Sequence, residues 1–295
     1  MRRVIVFALF AIVFASESVF SSDVKISKET VKQGGFFEIT IDGVGPKDVF
    51  TISFNQRRYL SVAGVSARSH RVIIPVHVSD APGETKILLE SIYETVVPQK
   101  IIIEKTDFEE SEVIEIIQPL SKRDLKKYES EQNILNEIYR KSTKYPFFAT
   151  IDEPFFEYPL EYNVKISSPF GFIRKRKIIG AKPEKIEKVP HGGIDFVVSR
   201  DNAVFAVETG IVRLARYLIN SGNTIIIDHG YNIFSVYMHL SQVFVSEGDV
   251  VWRRDEIARS GNTGRVTGPH LHFGMKIWNT WVDPKYFIRE LENKK

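Results

Sequence analysis

From about residue 164 onward, no stretch of the chain keeps a helical period. Short β-branched and aromatic runs follow one another instead: VKISSPFG, GIDFVVS, AVFAVETGIVRLARYL, NTIIIDHG, NIFSVYMHL and LHFGMKI, with glycine-rich turns between them. Side chains alternate faces along a strand, so a chain written this way can bury itself only as an all-β domain rich in antiparallel strands. Residues 23–105 carry a second set of short strands: FFEITI, VFTISF, RVIIPVHV, TKILLESI and QKIIIE, separated by KQGG, GVGPKD and DAPGE. Their spacing predicts a β-sandwich.

The stretch between these regions differs. TDFEESEVIE is acidic, and Ser121 then opens SKRDLKKYESEQNILNEIYRK. Leu125, Tyr128, Leu135 and Ile138 fall near one face at helical spacing, and Ser121 with Asp124 makes a capping pair, so a helix of about five turns is predicted. YPFFATIDEPFFEYPL supplies prolines and aromatics suited to an extended segment packed on a neighbouring domain. The chain thus divides into an N-terminal segment over 1–21, a β-sandwich over 22–105, a helical linker over 106–163 and a C-terminal β domain over 164–295.

The first segment reads MRRVIVFALFAIVFASESVFSS, two arginines before an apolar run from Val4 to Ala15. That is a secretory signal layout, and the run is short for a bilayer span, which needs roughly 20 residues. Export is therefore expected, to a periplasmic or cell-wall location, with membrane attachment only if the segment stays uncleaved. The chain has no cysteine. Disulfides, a lipid-attached cysteine and a thiolate metal site are all excluded, and any metal falls to His, Asp or Glu. Residues 22–163 carry a net charge of −5 and residues 164–295 a net +7. The basic part is suited to an anionic polymer such as a cell wall or teichoic acid. Export removes nucleic acid from that set.

Seven histidines occur, and five lie between His191 and His272. His77, among apolar neighbours in IIPVHVSD, reads as structural. In HGGIDF, two glycines lie within the spacing from His191 to Asp195, which argues against a helix and for a turn into a strand that brings both side chains to one point. In GNTGRVTGPHLHF, His270 and His272 are two apart, so a strand aims both imidazoles at one site. Buried imidazoles without partners are costly, so core packing explains such a pair poorly. His239 ends the run NIFSVYMHL. His229, in IIIDHGYN, has no spacing that ties it to the others and reads as structural or as part of a groove rim.

Taken in order, the His-x-x-x-Asp motif, the histidine in Tyr-x-His-Leu and the His-x-His after Thr-Gly-Pro resemble the lysostaphin-type, LytM-like zinc endopeptidases that cut peptidoglycan peptides. The resemblance covers roughly residues 164–288, from SSPFG to WNTWVDPKYF. Two departures are visible: Gly274 stands where the family often has Glu, and an early Phe-Gly-x-Arg pattern is stretched to FGFIR. The N-terminal part resembles the immunoglobulin-like domain that often precedes such catalytic domains. The resemblance implies a mainly β protein, with a two-sheet catalytic domain and a long narrow groove over the metal. It implies Zn²⁺ held by His191, Asp195 and His272, with His239 and His270 as metal-free catalytic imidazoles whose roles are interchangeable on the sequence alone. It further implies peptidoglycan peptides as substrate and allows an envelope protein as partner. The competing reading is a catalytically silent homologue that activates wall amidases; such proteins lose zinc ligands or catalytic histidines, and here all five residues are present.

Overall fold

The computed structural model describes residues 23–288, apart from 46, 64–67, 92–94, 145, 148–155 and 181–185. The N-terminal signal reading lies outside the described residues. The chain is mainly β with one α-helix among the described residues, and no described helix is long and apolar enough to cross a membrane.

In the N-terminal part, a four-stranded sheet runs in the order Asp23–Ile26, Phe36–Asp42, Ser69–Pro75, Val62–Ala63. A five-stranded sheet runs Thr30–Lys32, Thr95–Glu104, Gly83–Ser91, Phe50–Phe54, Arg57–Leu60. Phe37, Ile39 and Ile41 alternate along the first sheet, Ile52, Phe54, Ile87 and Leu89 along the second, and all belong to one buried cluster. The period of two therefore puts one face of each sheet into a common core, where each such side chain contributes about 1.5–3 kcal/mol.

The C-terminal part is built on an eight-stranded sheet. Its order is Ile166–Ser168, Ile194–Phe196, Leu271–Ile277, Ile233–Leu240, Gly222–Asp228, Gly210–Leu218, Val250–Val251, with Thr280–Val282 also paired to Leu271–Ile277. All of these pairings are antiparallel. Leu271, Phe273, Met275 and Ile277 point to the main core. His272, Gly274 and Lys276 therefore share the opposite face of that strand.

The helix Lys122–Tyr139 has the five turns expected of its 18 residues, and the Asp124 amide donates to Ser121 Oγ at 3.1 Å. It packs Tyr139 against Leu214, Leu218, Ile226, Phe234 and Val236. Phe234 and Val236 pair with Lys276 and Gly274, so the helix lies over the sheet face that carries His272. Inside the linker the acidic stretch is not irregular: Glu110–Ile117 is a strand, parallel to Ile173–Ile178, which pairs in turn with Ile186–Pro190. Charge explains the pairing, since Glu110 reaches Lys188 at 2.7 Å and Lys175 at 3.3 Å, and Glu115 reaches Arg176 at 2.9 Å.

The N-terminal sheets meet the C-terminal part through apolar contacts. Phe36 stacks on Phe287 with ring centroids 4.9 Å apart. The Trp278 indole N–H donates to the Ile73 carbonyl at 3.1 Å, with its ring edge-on to Tyr59.

Candidate metal centre

Two paired strands assemble the site. His191 follows the strand Ile186–Pro190, and Asp195 lies opposite His272 in the register between Ile194–Phe196 and Leu271–Ile277. The two glycines after His191 let the chain pass where no side chain fits. A Cβ at Gly193 would stand 2.4 Å from the Phe273 carbonyl oxygen and 2.8 Å from His272 Nε2. The motif is thus a turn into a strand, and the glycine makes room for the backbone of the partner strand and for its histidine.

His191 Nε2, Asp195 Oδ1 and His272 Nδ1 form a triangle. Its sides are 3.0 Å between the two nitrogens, 3.1 Å from His191 to Asp195 and 2.9 Å from His272 to Asp195. All three residues are buried and together could hold a metal ion. The tautomers fit that role. His191 Nδ1 lies 3.0 Å from the Pro169 carbonyl, so it donates there and Nε2 presents a lone pair. At most one proton, on His272 Nδ1, is then available to three electron-rich atoms. A bound cation would resolve that crowding. The triangle also has about the right size, because a tetrahedral zinc with bonds of about 2.0–2.1 Å places neighbouring ligands roughly 3.3 Å apart.

The electrostatics point the same way. Burial alone would raise the Asp195 pKa, yet the imidazoles of His191 and His272 around it override this and hold the carboxylate far below its usual range. Burial pushes His272 down to about 4, so this imidazole is neutral, as a metal ligand must be.

Two more imidazoles stand beside the triangle. His270 Nδ1 lies 2.9 Å from the Gly268 carbonyl, and His270 Nε2 stands 3.8 Å from Asp195 Oδ1. His239 Nδ1 lies 2.9 Å from the Thr263 carbonyl, and its ring sits 4.8 Å from that of His270. In both, Nδ1–H donates to the backbone carbonyl and Nε2 carries the lone pair. Burial, with His272 close by, pushes His239 down to about 3.

The remaining histidines lie elsewhere. His229 is fully buried, with Nδ1 at the Thr209 carbonyl and Nε2 at Ser235 Oγ, so its role is structural and not at a groove rim. His70 sits in the N-terminal sheets, between Ser61 Oγ and the Gly45 carbonyl.

Sequence reasoning passed over Ser168 and Arg174. Arg174 Nη2 donates to Asp195 Oδ2 at 2.5 Å and to Ser168 Oγ at 3.0 Å, and that hydroxyl lies 3.1 Å from His191 Nδ1. The signal was present in the stretched FGFIR pattern: one added residue after Phe170 and Gly171 still brings an arginine to the site. Trp281 is the other unforeseen neighbour. Its ring lies 6.4 Å from that of His272 and fills the space that a Cβ on Gly274 would enter, at 2.6 Å.

Comparison with known proteins agrees with this geometry. A family model described as Peptidase family M23 matches residues 189–284. An uncharacterized metalloprotease of Haemophilus influenzae is 38% identical over 136 residues, 46% of this chain and 27% of the relative. Peptidoglycan DD-endopeptidase ShyA of Vibrio cholerae is 36% identical over 128 residues, 43% of this chain and 28% of the relative. The chain thus spans less than a third of the length of these two relatives. A crystal structure of a candidate M23 peptidase from Pseudomonas aeruginosa matches at a TM-score of 0.62 and 24% identity, covering 88% of this chain and 95% of that one, which shows a shared fold. The His–Asp–His triangle, the paired imidazoles beside it and the matching sequence lead to one assignment: residues 189–284 of this chain form a LytM-type domain of peptidase family M23.

Proposed function

We propose that this protein is an exported zinc endopeptidase that hydrolyses peptide cross-links of bacterial peptidoglycan. The observation that carries the reading is the triangle of His191, Asp195 and His272, with two further imidazoles held in their Nδ1–H tautomers next to it. Three protein ligands leave one tetrahedral position open, the layout of a catalytic rather than a structural centre. Zinc in such a centre supplies a Lewis acid that polarises a scissile carbonyl and makes water acidic enough to react near neutral pH.

The chain's own residues do the rest. His191 is oriented by the Pro169 carbonyl, His272 is held neutral by burial, and Asp195 keeps its charge beside both. His270 Nε2 accepts the proton of the attacking water and returns it to the departing amine. His239 Nε2, on the same side, accepts a hydrogen bond from the water and helps orient it. The N-terminal β region, the linker and the division near residue 163 belong to this proposal as the frame around the groove, as does the periplasmic or cell-wall location.

The test uses purified full-length mature protein, zinc-loaded, offered cross-linked muropeptide dimers and pentaglycine side by side. Release of monomers from the dimers, about one zinc per chain by elemental analysis, and loss of both in His191→Ala/His272→Ala support the reading. A zinc-loaded protein that leaves both substrates and whole sacculi intact overturns it in favour of a silent regulator.

A further inference from the structure

Arg174 is unlike the other arginines of the C-terminal part. Arg176 is paired with Glu115, Arg213 with the buried Asp228, and Arg216 with Glu247. The carboxylate partner of Arg174 is Asp195, itself a corner of the ligand triangle. A guanidinium carries five N–H groups. Nη2 spends two on Asp195 Oδ2 and Ser168 Oγ. The two on Nη1 and the one on Nε have no protein acceptor among the described residues. The side chain is 23% exposed, so these donors are reachable from solvent.

Charge sharpens the point. Asp195 offers Oδ1 to the triangle and Oδ2 to Arg174, so a single negative charge serves both. With neutral imidazoles and a divalent metal, the cluster keeps a surplus of two positive charges, one of them on Arg174. The unspent donors on Nη1 and Nε can still hold a carboxylate through single charge-assisted bonds, each two-toothed edge of the guanidinium being already engaged through Nη2. The Arg174 guanidinium stands one carboxylate's width from the His–Asp–His triangle.

We propose that Arg174 is a substrate-binding residue that reads a free carboxylate on the carbon bearing the scissile nitrogen. The inference rests on the hydrolase reading above and narrows its substrate. In a glycine bridge, the carbon after the scissile nitrogen leads to another neutral amide. In a D-alanyl cross-link to a diamino dicarboxylic acid, that same carbon carries a free carboxylate, two bonds from the nitrogen. Such a substrate brings its own negative charge to the place where the site lacks one. Arg174 therefore selects direct D-alanyl cross-links of the acid form over glycine bridges and over cross-links whose carboxylate is amidated.

The experiment compares two muropeptide dimers that differ only at this group, free acid against primary amide, with zinc-loaded wild type, Arg174→Lys and Arg174→Gln. Wild type should cut the acid with a kcat/KM about tenfold or more above the amide, the size of one charge-assisted hydrogen bond. Arg174→Gln should bring the two within about twofold, and Arg174→Lys should keep part of the preference. A second arm measures binding of the acid and amide forms of the amine product to metal-free protein by calorimetry. Wild type should hold the acid more tightly, and Arg174→Gln should hold the two alike. Equal rates on acid and amide by wild type, or an undiminished preference in Arg174→Gln, overturn the proposal. If Arg174→Gln loses zinc, the calorimetric arm decides: a wild type that binds acid and amide equally overturns it. If wild type cuts neither dimer, the hydrolase reading fails, and the calorimetric arm still judges Arg174 on its own.

Discussion

His239 is in the left-handed region of backbone space, with φ of 65° in a residue that is not glycine. That conformation costs roughly 1–2 kcal/mol, and the Ser221 carbonyl, accepting from its amide at 2.9 Å, helps hold it there. The strain turns the imidazole toward His270. His239→Ala and His270→Ala should each keep zinc by elemental analysis, because neither side chain is a corner of the triangle. Turnover should fall by about 10² or more in His270→Ala, the usual size of a lost general base. Zinc loss on replacing His270 would show that it, rather than His272, is the ligand. His229 sets a pH limit of a different kind. Burial pushes it down to about 4 from 6.5, so the unfolded chain takes up a proton there before the folded one does. Its contribution is fully present above pH 6.5 and is lost as pH falls toward 4, by about 3 kcal/mol at most. Denaturant unfolding at pH 7 and pH 4.5 should show a steeper loss for wild type than for His229→Gln. His191, Asp195, His270 and His272 are legible in the sequence because i, i+2 on a strand and two glycines in a turn are short-range rules, while His239 shows itself only through its Tyr-x-His-Leu setting. Arg174 shows itself only as the lengthened FGFIR pattern, because its partner Asp195 lies 21 residues on and no period links them.

At the scale of elements, the helix was readable from Ser121, Asp124 and the spacing of its apolar residues. The strand Glu110–Ile117 was not, since its partner Ile173–Ile178 lies far along the chain and only complementary charge relates the two. The Leu271–Ile277 strand shows how a local departure is absorbed. Gly274 leaves its face bare, and Trp281 lies across the gap between His272 and Lys276. The Lys276 ammonium sits 4.1 Å over Tyr139 and 4.4 Å over Trp281 and donates to Asn279 Oδ1 at 2.6 Å. Burial draws its pKa down to about 7, while the two ring faces favour the charged form. Gly274→Glu should therefore push Trp281 out of place and destabilise the protein by about 1–3 kcal/mol, the cost of overpacking. Trp281→Ala added to it should recover much of that loss. Thermal unfolding of the single and double variants checks the coupling, and simple additivity would count against it.

At the scale of the whole molecule, the strand that carries His272 runs on into Trp278, which is anchored in the N-terminal sheets at the Ile73 carbonyl. Its amide also donates to the Asn232 carbonyl at 2.7 Å. Trp278→Ala should cost about 3 kcal/mol in denaturant unfolding, near the low end for loss of a large packed aromatic side chain. It should also weaken zinc retention under a chelator challenge; unchanged retention would mean that the turn is only a packing contact. Where the two properties do move together, they are bound by reciprocity. Whatever factor the N-terminal anchor lends to metal affinity, the metal returns to the anchor, so stripping zinc loosens the grip on Trp278 by the same ratio. With that coupling, the state of a bound ion would be felt on the far side of the molecule without any dedicated relay, because one strand has an end in each place.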